Sequence, residues 1–347
     1  MNLQPIINQS VKCTGAGLVA LDVILNGNPL TPPQLYAGGS CGNVMTILAF
    51  LGWQSTPIAR LSKSPATRKL IADLKNWNVR TKLISQKNDG STPIIIHRII
   101  KDKNGNPKHR FEFTLPGSNE YLPGFKPVLG KDVDNLIGEN KSTQVFYFDR
   151  LSRSSVELAK YYHSVGALIV LEPTSLREKR LFEECIKFVH ILKFSNERVK
   201  NYSHFYPEAL ADIEIETKGK IGLSYRLKNE IIWRDSDAYN NIGEITDSAG
   251  AGDWCTAGII HNLGKGGSYG FANKTKKEIK EALKVGQALG AINCLFDGAR
   301  GAMYNLEQNE LIKAVNTLLS KKDLNIQISR KNKPRFLKEP YDLTSLL

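Results

Sequence analysis

The middle of the chain alternates short apolar runs with segments of helical periodicity. Val145 to Phe148, Leu168 to Leu171 and Ile191 to Phe194 are apolar runs of strand length. Between them lie two helix-like segments, Ser154 to Ser164 and Arg177 to Cys185. Such runs are typical of strands that are buried on both faces of a parallel sheet. The pattern therefore predicts parallel βαβ units.

The same pattern continues toward both ends and predicts a doubly wound α/β domain. A strand is predicted from Lys12 to Val19, and further strands at Ile213 to Glu216, Gly222 to Arg226 and Glu230 to Trp233. Helices are predicted at Val44 to Leu51, Ala66 to Trp77, Trp254 to Asn262, Lys276 to Phe296 and Asn309 to Leu319.

A β-hairpin interrupts this alternation in the N-terminal third. Pro93 to Ile100 and His109 to Thr114 are rich in β-branched and aromatic residues. The segment Lys103-Asn104-Gly105-Asn106-Pro107 between them has strong turn chemistry. Gly117 to Gly130 follows with several Gly and Pro residues and is predicted to be a loop.

Composition narrows the class of protein. Of the 347 residues, 41% are apolar and 23% charged, which is ordinary for a globular chain with a sizeable core. No apolar run approaches the roughly 18 residues that a membrane span needs. Met1 to Lys12 is polar, so we expect neither a signal peptide nor membrane attachment.

Cysteine usage favours a cytoplasmic protein. The five cysteines are scattered and form no CxxC pair: Cys13, Cys41, Cys185, Cys255 and Cys294. That spacing argues against a disulfide framework and against a zinc site. We interpret all five as small buried residues.

The net charge of +13 suits an anionic ligand. Much of the excess lies in Lys274 to Lys284 and Lys321 to Lys338, which we interpret as solvated helix faces and a tail. No RNP motif, zinc finger or aromatic-basic interleaving is present, so a nucleic-acid partner is not favoured. Residues 321–347 form a basic, Pro-containing extension to which the pattern assigns no element.

The strongest local motif is Asp247-Ser248-Ala249-Gly250-Ala251-Gly252-Asp253, directly before a predicted helix. Small residues there leave successive backbone N–H groups uncovered at the positive end of the helix, which makes a site for an oxyanion. Asp253 at the helix start can accept the proton of a hydroxyl that attacks phosphorus. The alternative is a tight strand-to-helix turn with Asp253 as a cap.

A second glycine-rich motif, Gly38-Gly39-Ser40-Cys41-Gly42-Asn43, precedes the helix that begins at Val44. Glycines allow a small polar ligand to approach the backbone, and an Asn offers both donor and acceptor to hydroxyls. Asp22, past the first strand, is a carboxylate suited to sugar hydroxyls. A plain glycine turn with a capping Asn is the alternative.

Together these motifs resemble the ribokinase/PfkB family of carbohydrate kinases. Gly38-Gly39-x-x-x-Asn43 fits the family's N-terminal signature, and residues 247–253 differ from its C-terminal signature mainly by Ser for Thr. Thr217-x-Gly219-x-x-Gly222 resembles its nucleotide-contacting loop, and Lys193 to Glu197 its Lys-Pro-Asn-Glu stretch. Order and spacing hold over roughly residues 12–320.

The resemblance implies a ribokinase-like, mostly parallel sheet flanked by helices, with a small β lid. It places a single domain at residues 1–320, with lid segments at about 24–38 and 90–118. It also implies transfer of a phosphoryl group from ATP, with Mg²⁺, to a hydroxyl of a small sugar-like substrate. A homodimer is compatible with the resemblance, and the oligomeric state stays open.

Roles for single residues follow from the resemblance as well. Asp253 would be the general base, with Gly250, Ala251 and Gly252 supplying the anion hole. The substrate would contact Asp22, Gly38, Gly39 and Asn43. The nucleotide would contact Asn196, Thr217, Gly219 and Gly222, with Asn196 near the phosphates and Mg²⁺. Many members of the family bind a monovalent cation such as K⁺ beside the anion hole, and its ligands here would be Asp247 and the carbonyl of Ala249.

Two positions depart from the family pattern, and two residues of the predicted lid have an open role. The family's Asn-x-x-Glu motif would place Glu at position 199, where this chain has Val199. Trp254 follows the predicted base, where many members have a smaller residue or a Phe neighbourhood. For His97 and Arg98 in the hairpin, ordinary lid surface and substrate contact are both open.

Rival interpretations are weaker. Gly15-Ala16-Gly17-Leu18-Val19-Ala20 fits a Rossmann fingerprint, but neither the following helix nor the acidic residue about 20 positions on is present. No GxxxxGK(S/T) occurs, which excludes a Walker-type NTPase. Two alternatives stay open: a nucleoside kinase of the same fold, and a catalytically weak regulator that binds a sugar or nucleic acid.

Overall fold

The computed structural model describes residues 2–5, 11–25, 31–101, 107–321 and 342–347. Part of the predicted hairpin turn and most of the basic C-terminal extension lie outside these residues. In the described part, no helix is both long enough and apolar enough to cross a bilayer.

A nine-stranded sheet forms the centre of the molecule, in the order β13-β12-β11-β10-β9-β8-β1-β4-β5. The seven strands from β11 to β5 are parallel, and β12 and β13 add an antiparallel edge. The strands of this sheet are β1 (Lys12–Ala16), β4 (Gln54–Leu61), β5 (Ile84–Gln86), β8 (Val145–Phe148), β9 (Leu168–Leu171), β10 (Ile191–Ser195), β11 (Ile213–Thr217), β12 (Gly222–Leu227) and β13 (Arg234–Asp237).

A separate four-stranded sheet has the order β3-β2-β6-β7. Its strands are β2 (Ala20–Leu25), β3 (Gln34–Gly38), β6 (Ile94–Lys101) and β7 (Pro107–Glu112). β6 and β7 pair antiparallel, which confirms the predicted hairpin. β2 follows β1 almost directly, so the strand-to-helix unit of a Rossmann fingerprint is absent from this segment.

Eleven helices are present in the described residues, and the long ones cover the main sheet. They are α1 (Ser40–Phe50), α2 (Pro65–Asn76), α3 (Val133–Glu139), α4 (Arg153–Ser164), α5 (Lys179–Cys185), α6 (Tyr202–Phe205), α7 (Ala251–Leu263), α8 (Gly267–Ala272), α9 (Lys276–Asn293), α10 (Gly301–Asn305) and α11 (Gln308–Lys321). A short 3₁₀ helix, Leu343–Leu346, buries Leu346 in the core at the end of the chain.

Local sequence explains why these helices begin where they do. Ser64 caps α2, with Pro65 at the first helical position, where its missing N–H costs little. Ser152 and Thr275 cap α4 and α9 through reciprocal capping boxes. Every residue of β8 and of β9 is buried, as the uninterrupted apolar runs predict for strands covered on both faces.

The prediction was wrong at the antiparallel edge of the main sheet. A strand was expected from Glu230 to Trp233, but β13 begins at Arg234. Asn229 has a positive φ of 63°, and the exposed Ile231 and Ile232 belong to the connection rather than to the sheet. The two isoleucines have the local sequence of a strand, but no strand among the described residues pairs with them.

The parallel order brings the carboxyl ends of β1, β8, β9, β10 and β11 to one edge of the sheet. In open α/β sheets this edge is where ligands bind. The glycine-rich segments before α1 and α7 reach this same region of the molecule, because α1 packs against both β1 and α7.

Candidate active site

Asp253 and Asn43 lie 210 residues apart in the sequence but are hydrogen-bonded to each other. Asn43 lies in the first turn of α1 and is 4% exposed, and its Nδ2 donates to Oδ2 of Asp253 over 2.7 Å. Asn43 Oδ1 is also buried and has no hydrogen-bond partner among the described residues. The two glycine motifs therefore form one site, with a free acceptor in it.

The loop before Asp253 leaves backbone N–H groups without partners at the start of α7. Gly250 caps α7 in the left-handed region, with φ 73°, and a Cβ there would overlap the carbonyl of Ala299. In the described part of the chain, the N–H groups of Gly250 and Gly252 make no hydrogen bond. The N–H of Ala251 donates to the Ser248 carbonyl at 3.3 Å, which is at the long end of the range.

The Asp253 carboxyl is partly buried, and its surroundings favour a proton acceptor. Burial raises the pKa of Asp253 to about 7, and the negative charge of Glu172 adds to that shift. The hydrogen bond from Asn43 and the positive charges of Lys193 and Arg198 act in the opposite direction. A carboxylate that titrates near neutrality is suited to accept a hydroxyl proton.

A largely buried ion pair lies under the start of α7. Lys193, on β10, is 2% exposed, and its Nζ lies 2.5 Å from Oε1 of Glu172. The same Nζ donates to the Gly252 carbonyl at 3.2 Å. Oε2 of Glu172 accepts from Thr256 Oγ1 at 2.6 Å and from the Tyr147 hydroxyl at 3.2 Å. This network ties the ends of β8, β9 and β10 to the first turn of α7.

Asp22 lies on β2, where a Cβ at Gly38 would overlap its carboxylate. Gly38 therefore leaves space for that side chain, next to the first turn of α1. Burial raises the pKa of Asp22 to about 7, although the Arg300 guanidinium opposes the shift. Arg300 itself is held by the Ala37 carbonyl and by Asp73.

Sequence reasoning missed two carboxylates at the carboxyl edge. Asp149 directly follows β8, is fully buried, and accepts the Leu18 N–H at 2.9 Å and Arg150 Nη1 at 2.7 Å. Burial raises the pKa of Asp149 to about 6. Glu172 follows β9 in the same way. The available signal was a lone acid directly after a fully apolar run in each case.

These carboxylates lie around a common point. Burial raises the pKa of the Tyr147 hydroxyl, and three carboxylates add to that shift: Glu172, Asp149 and Asp253. The predicted base therefore lies among acids that follow neighbouring parallel strands.

The predicted nucleotide residues gather at the ends of β10 and β11. The Asn196 N–H donates to the Thr217 carbonyl at 3.1 Å, and Ser195 is paired with Thr217 in the ladder. Gly219 is exposed with φ 56°, whereas Gly222 is buried at the start of β12 with φ 119°. Because Lys193 of β10 also reaches Gly252, this group lies on the side of the sheet edge where α7 begins.

At position 199, where the family pattern has Glu, this chain has an apolar residue in apolar surroundings. Val199 is 5% exposed and belongs to an apolar cluster with Phe182, Phe194 and Tyr202. No group of three or more His, Cys, Asp and Glu residues suited to a metal is found in the described residues.

The residues expected to hold K⁺ are already engaged with protein groups. Both oxygens of Asp247 accept backbone N–H groups, from Ala249 and Gly298, at 2.9 Å each. The Ala249 carbonyl accepts from the side-chain amide of Asn293 at 3.0 Å. These contacts leave a poor fit for a cation at that carbonyl.

The other residues discussed from the sequence are buried or make contacts within the protein. Trp254 is fully buried and donates to the Ala299 carbonyl at 3.2 Å. His97 is 3% exposed with Nε2 3.7 Å from Oδ2 of Asp247, so it is not lid surface. Arg98 forms an ion pair with Glu112 across the hairpin. The five cysteines are all buried, as expected.

Comparison with solved structures identifies the fold. A Xylella fastidiosa fructokinase with bound ATP matches with a TM-score of 0.68 at 13% identity, covering 90% of this chain and 99% of its own. The aminoimidazole riboside kinase of Salmonella enterica matches at 0.64 and 18%, covering 88% and 99%. A Methanocaldococcus jannaschii nucleoside kinase, described as an archaeal member of the ribokinase family, matches at 0.60 and 18%, covering 89% and 99%.

The chain has the ribokinase-family fold. No protein-family model and no curated protein matches the sequence. The ribokinase fold confirms the predicted mostly parallel sheet flanked by helices, and it extends over nearly the full length of each of these three neighbours. At 13–18% sequence identity, the shared fold does not identify the substrate of this chain.

Proposed function

We propose that this chain transfers the γ-phosphoryl group of ATP to a hydroxyl of a small sugar or sugar-like molecule. One observation carries the proposal: the Asp253 carboxyl, with its pKa raised to about 7, is held by Asn43 directly beside the open N–H groups of the α7 N-terminus. A proton acceptor and an anion site are thereby adjacent, as in-line phosphoryl transfer to an alcohol requires.

In the proposed reaction, the Asp253 carboxylate takes the proton of the substrate hydroxyl as its oxygen bonds to the γ-phosphorus. The bond from phosphorus to the β,γ-bridging oxygen breaks, and ADP leaves. The N–H groups of Gly250 and Gly252 stabilise charge on the migrating group, together with the positive end of α7. Asn196 would lie near the Mg²⁺ ion of the nucleotide, which would supply further charge neutralisation.

Substrate hydroxyls would be held by polar groups around Asp253. Asn43 Oδ1 is a buried acceptor without a partner among the described residues, so it is suited to a hydroxyl donor. Asp22 and Asp149 offer two further carboxyls of raised pKa. We assign the four-stranded sheet as the lid that closes over the substrate and excludes water.

A nucleoside acceptor is the second candidate. Structural neighbours include nucleoside kinases from Methanocaldococcus jannaschii and Burkholderia thailandensis, the latter in complex with inosine. Both acceptor classes present a hydroxyl, so the same base and anion site would serve either. A regulator without catalysis is less well supported, because binding alone does not need a carboxylate with a pKa near neutrality.

The decisive experiment measures ADP release with a panel of sugars and nucleosides, for the wild type and for Asp253→Asn. We expect one acceptor class to stimulate ADP release, and the variant to lose about 10²–10⁴-fold in kcat while its KM for ATP changes little. Asp134→Asn, at an exposed aspartate on α3, is the control and should behave as the wild type. Near-normal turnover of Asp253→Asn would show that Asp253 is not the base.

A further inference from the structure

The side chain of Asn293 lies at the focus of three backbone carbonyls. Asn293 is the last residue of α9 and is fully buried. Its Nδ2 lies 3.0 Å from the Ala249 carbonyl oxygen, 3.3 Å from that of Ala299 and 3.4 Å from that of Gly298. Its Oδ1 accepts the Ala302 N–H at 3.1 Å, which fixes the orientation of the amide. The nitrogen therefore faces the carbonyls.

Converging carbonyl oxygens of this kind are the ligand type that binds a monovalent cation. Asp247 links the same two segments, because it accepts the N–H of Ala249 through one oxygen and that of Gly298 through the other. The same two segments thus contribute a network of one carboxylate and three carbonyls. In this chain an uncharged amide nitrogen lies among those oxygens.

These three carbonyls are connected to the predicted anion loop, residues 250–252. Ala249 directly precedes Gly250, whose Cα packs so closely on Ala299 that no side chain fits there. Trp254, in the first turn of α7, donates to the Ala299 carbonyl as well. Any group that holds these carbonyls in place also holds the loop that presents the N–H groups of Gly250 and Gly252.

We propose that the amide of Asn293 takes the place of a monovalent cation behind the anion loop, so that the loop is organised without K⁺. The two N–H donors of the amide contact carbonyl oxygens that would otherwise repel one another. They also offset the negative electrostatic potential that these oxygens create behind a bound phosphate. Asn293 is a positioning residue, since it acts through the loop. The importance of the loop for catalysis rests on the proposed kinase function, but the replacement of the cation does not.

The first test compares the wild-type protein in KCl, NaCl and choline chloride at equal ionic strength. We expect the same Tm in all three salts, because a cation that does not bind the folded state cannot stabilise it. We likewise expect the same kcat/KM once an acceptor is known. A K⁺-specific rise in Tm or in kcat/KM would overturn the inference.

The second test replaces the Asn293 amide. Asn293→Ala removes both donors and leaves space, and Asn293→Asp keeps the shape but turns an acceptor toward the carbonyls. Both should have a lower Tm than the wild type in choline chloride and regain part of it in KCl, with the larger recovery for the aspartate. Asn262→Ala, which deletes an amide-to-carbonyl bond to Gly258 within α7, is the matched control and should show no K⁺ response.

The outcomes separate the two proposals. If both Asn293 variants melt as the wild type does, or lose stability that K⁺ does not restore, the amide is not a cation substitute. If neither variant folds, the wild-type salt series still decides. Melting needs no substrate, so a protein whose Tm ignores K⁺ but which phosphorylates no acceptor would contradict only the kinase proposal.

Discussion

At the scale of single residues, the site depends on a few buried polar groups with defined partners. Asn43 joins the two glycine motifs, because one end of its amide donates to Asp253 and the other end faces the site as an unpartnered acceptor. Leaving such an acceptor buried costs free energy, which a substrate hydroxyl would recover. Asn43 lowers the pKa of Asp253, and under the proposed function it would also bind the substrate.

Replacing Asn43 by Ala should weaken binding of the sugar-like substrate much more than binding of ATP. Loss of one or two buried hydrogen bonds predicts a rise of about 10- to 100-fold in the KM of the acceptor. Steady-state kinetics with each substrate varied in turn measures both constants. An equal rise in both KM values would contradict the placement of Asn43 on the acceptor side.

The pH profile of the same variant gives a second readout. Wild-type kcat/KM should rise with pH through about pH 7, because Asp253 has its pKa raised to about 7 by burial and acts deprotonated. Removing the Asn43 hydrogen bond, which lowers that pKa, should move the rise to higher pH. A rise at the same pH in both proteins would argue against Asp253 as the titrating group.

Arg198 is an exposed residue that the resemblance did not single out. Its charge acts on the Asp253 carboxyl, and it lies just after Asn196 at the end of β10. We expect Arg198→Ala to raise the KM for ATP a few-fold, a modest effect because exposed charges are screened. Lys200→Ala, exposed and two residues away, is the control. Identical kinetics of the two variants would exclude a specific role for Arg198.

At the scale of elements, the site is fixed by what lies at the ends of neighbouring parallel strands. Asp149, Glu172 and Asn196 follow β8, β9 and β10, and the Lys193–Glu172 pair connects this edge to α7. The negative charge of Glu172 would be costly this deep in the protein without Lys193. The pair therefore holds the first turn of α7 against the sheet.

Breaking this pair on one side should cost much more than removing it altogether. We expect Lys193→Met to lower the free energy of unfolding by about 3 kcal/mol, because it leaves the largely buried Glu172 without its positive partner. Adding Glu172→Gln should recover a large part of that loss, since the amide keeps the bonds from Thr256 and Tyr147. Urea unfolding of both variants measures the difference. Additive losses in the double variant would contradict a direct interaction.

At the scale of the whole molecule, several aspartates with raised pKa values make the free energy of unfolding depend on pH. Burial raises the pKa of Asp22 and of Asp253 to about 7 and that of Asp149 to about 6. A group whose pKa is higher in the folded state than in the unfolded state contributes stability at low pH. That contribution is lost as the pH rises through its folded pKa.

His190 and His261 act in the other direction, because burial lowers the pKa of each to about 4. Their contribution is present above the ordinary histidine pKa and is lost as the pH falls toward about 4. The net pH dependence of stability therefore mixes both kinds of group, and a variant is needed to isolate one carboxyl.

Asp253→Asn isolates the contribution of the Asp253 carboxyl to the free energy of unfolding. Relative to the wild type, the variant should gain in Tm as the pH rises from about 4 to about 7, since it lacks the carboxyl that must lose its proton over this range. Thermal melts of both proteins at matched ionic strength measure the difference. A difference that does not change across this range would contradict the raised pKa of Asp253.

The sequence by itself determined the local features of this protein. Apolar runs of strand length that alternate with helical periodicity specified the βαβ units, and small residues before a helix specified the glycine turn at the start of α7, because both depend on near neighbours in the chain. The hairpin of β6 and β7 followed from turn chemistry in the same way. The strand expected at Glu230 failed because a ladder partner, not local propensity, decides whether such a pair of isoleucines enters a sheet.

Only the tertiary structure decided which residues meet. The order of the parallel strands placed Asp149 and Glu172 near Asp253, the packing of α1 on α7 joined Asn43 to Asp253, and the end of α9 directed the Asn293 amide at the Ala249 carbonyl. These contacts span tens to hundreds of residues. Their partners are selected by sheet order and helix packing, which no local pattern of hydrophobic and polar positions encodes.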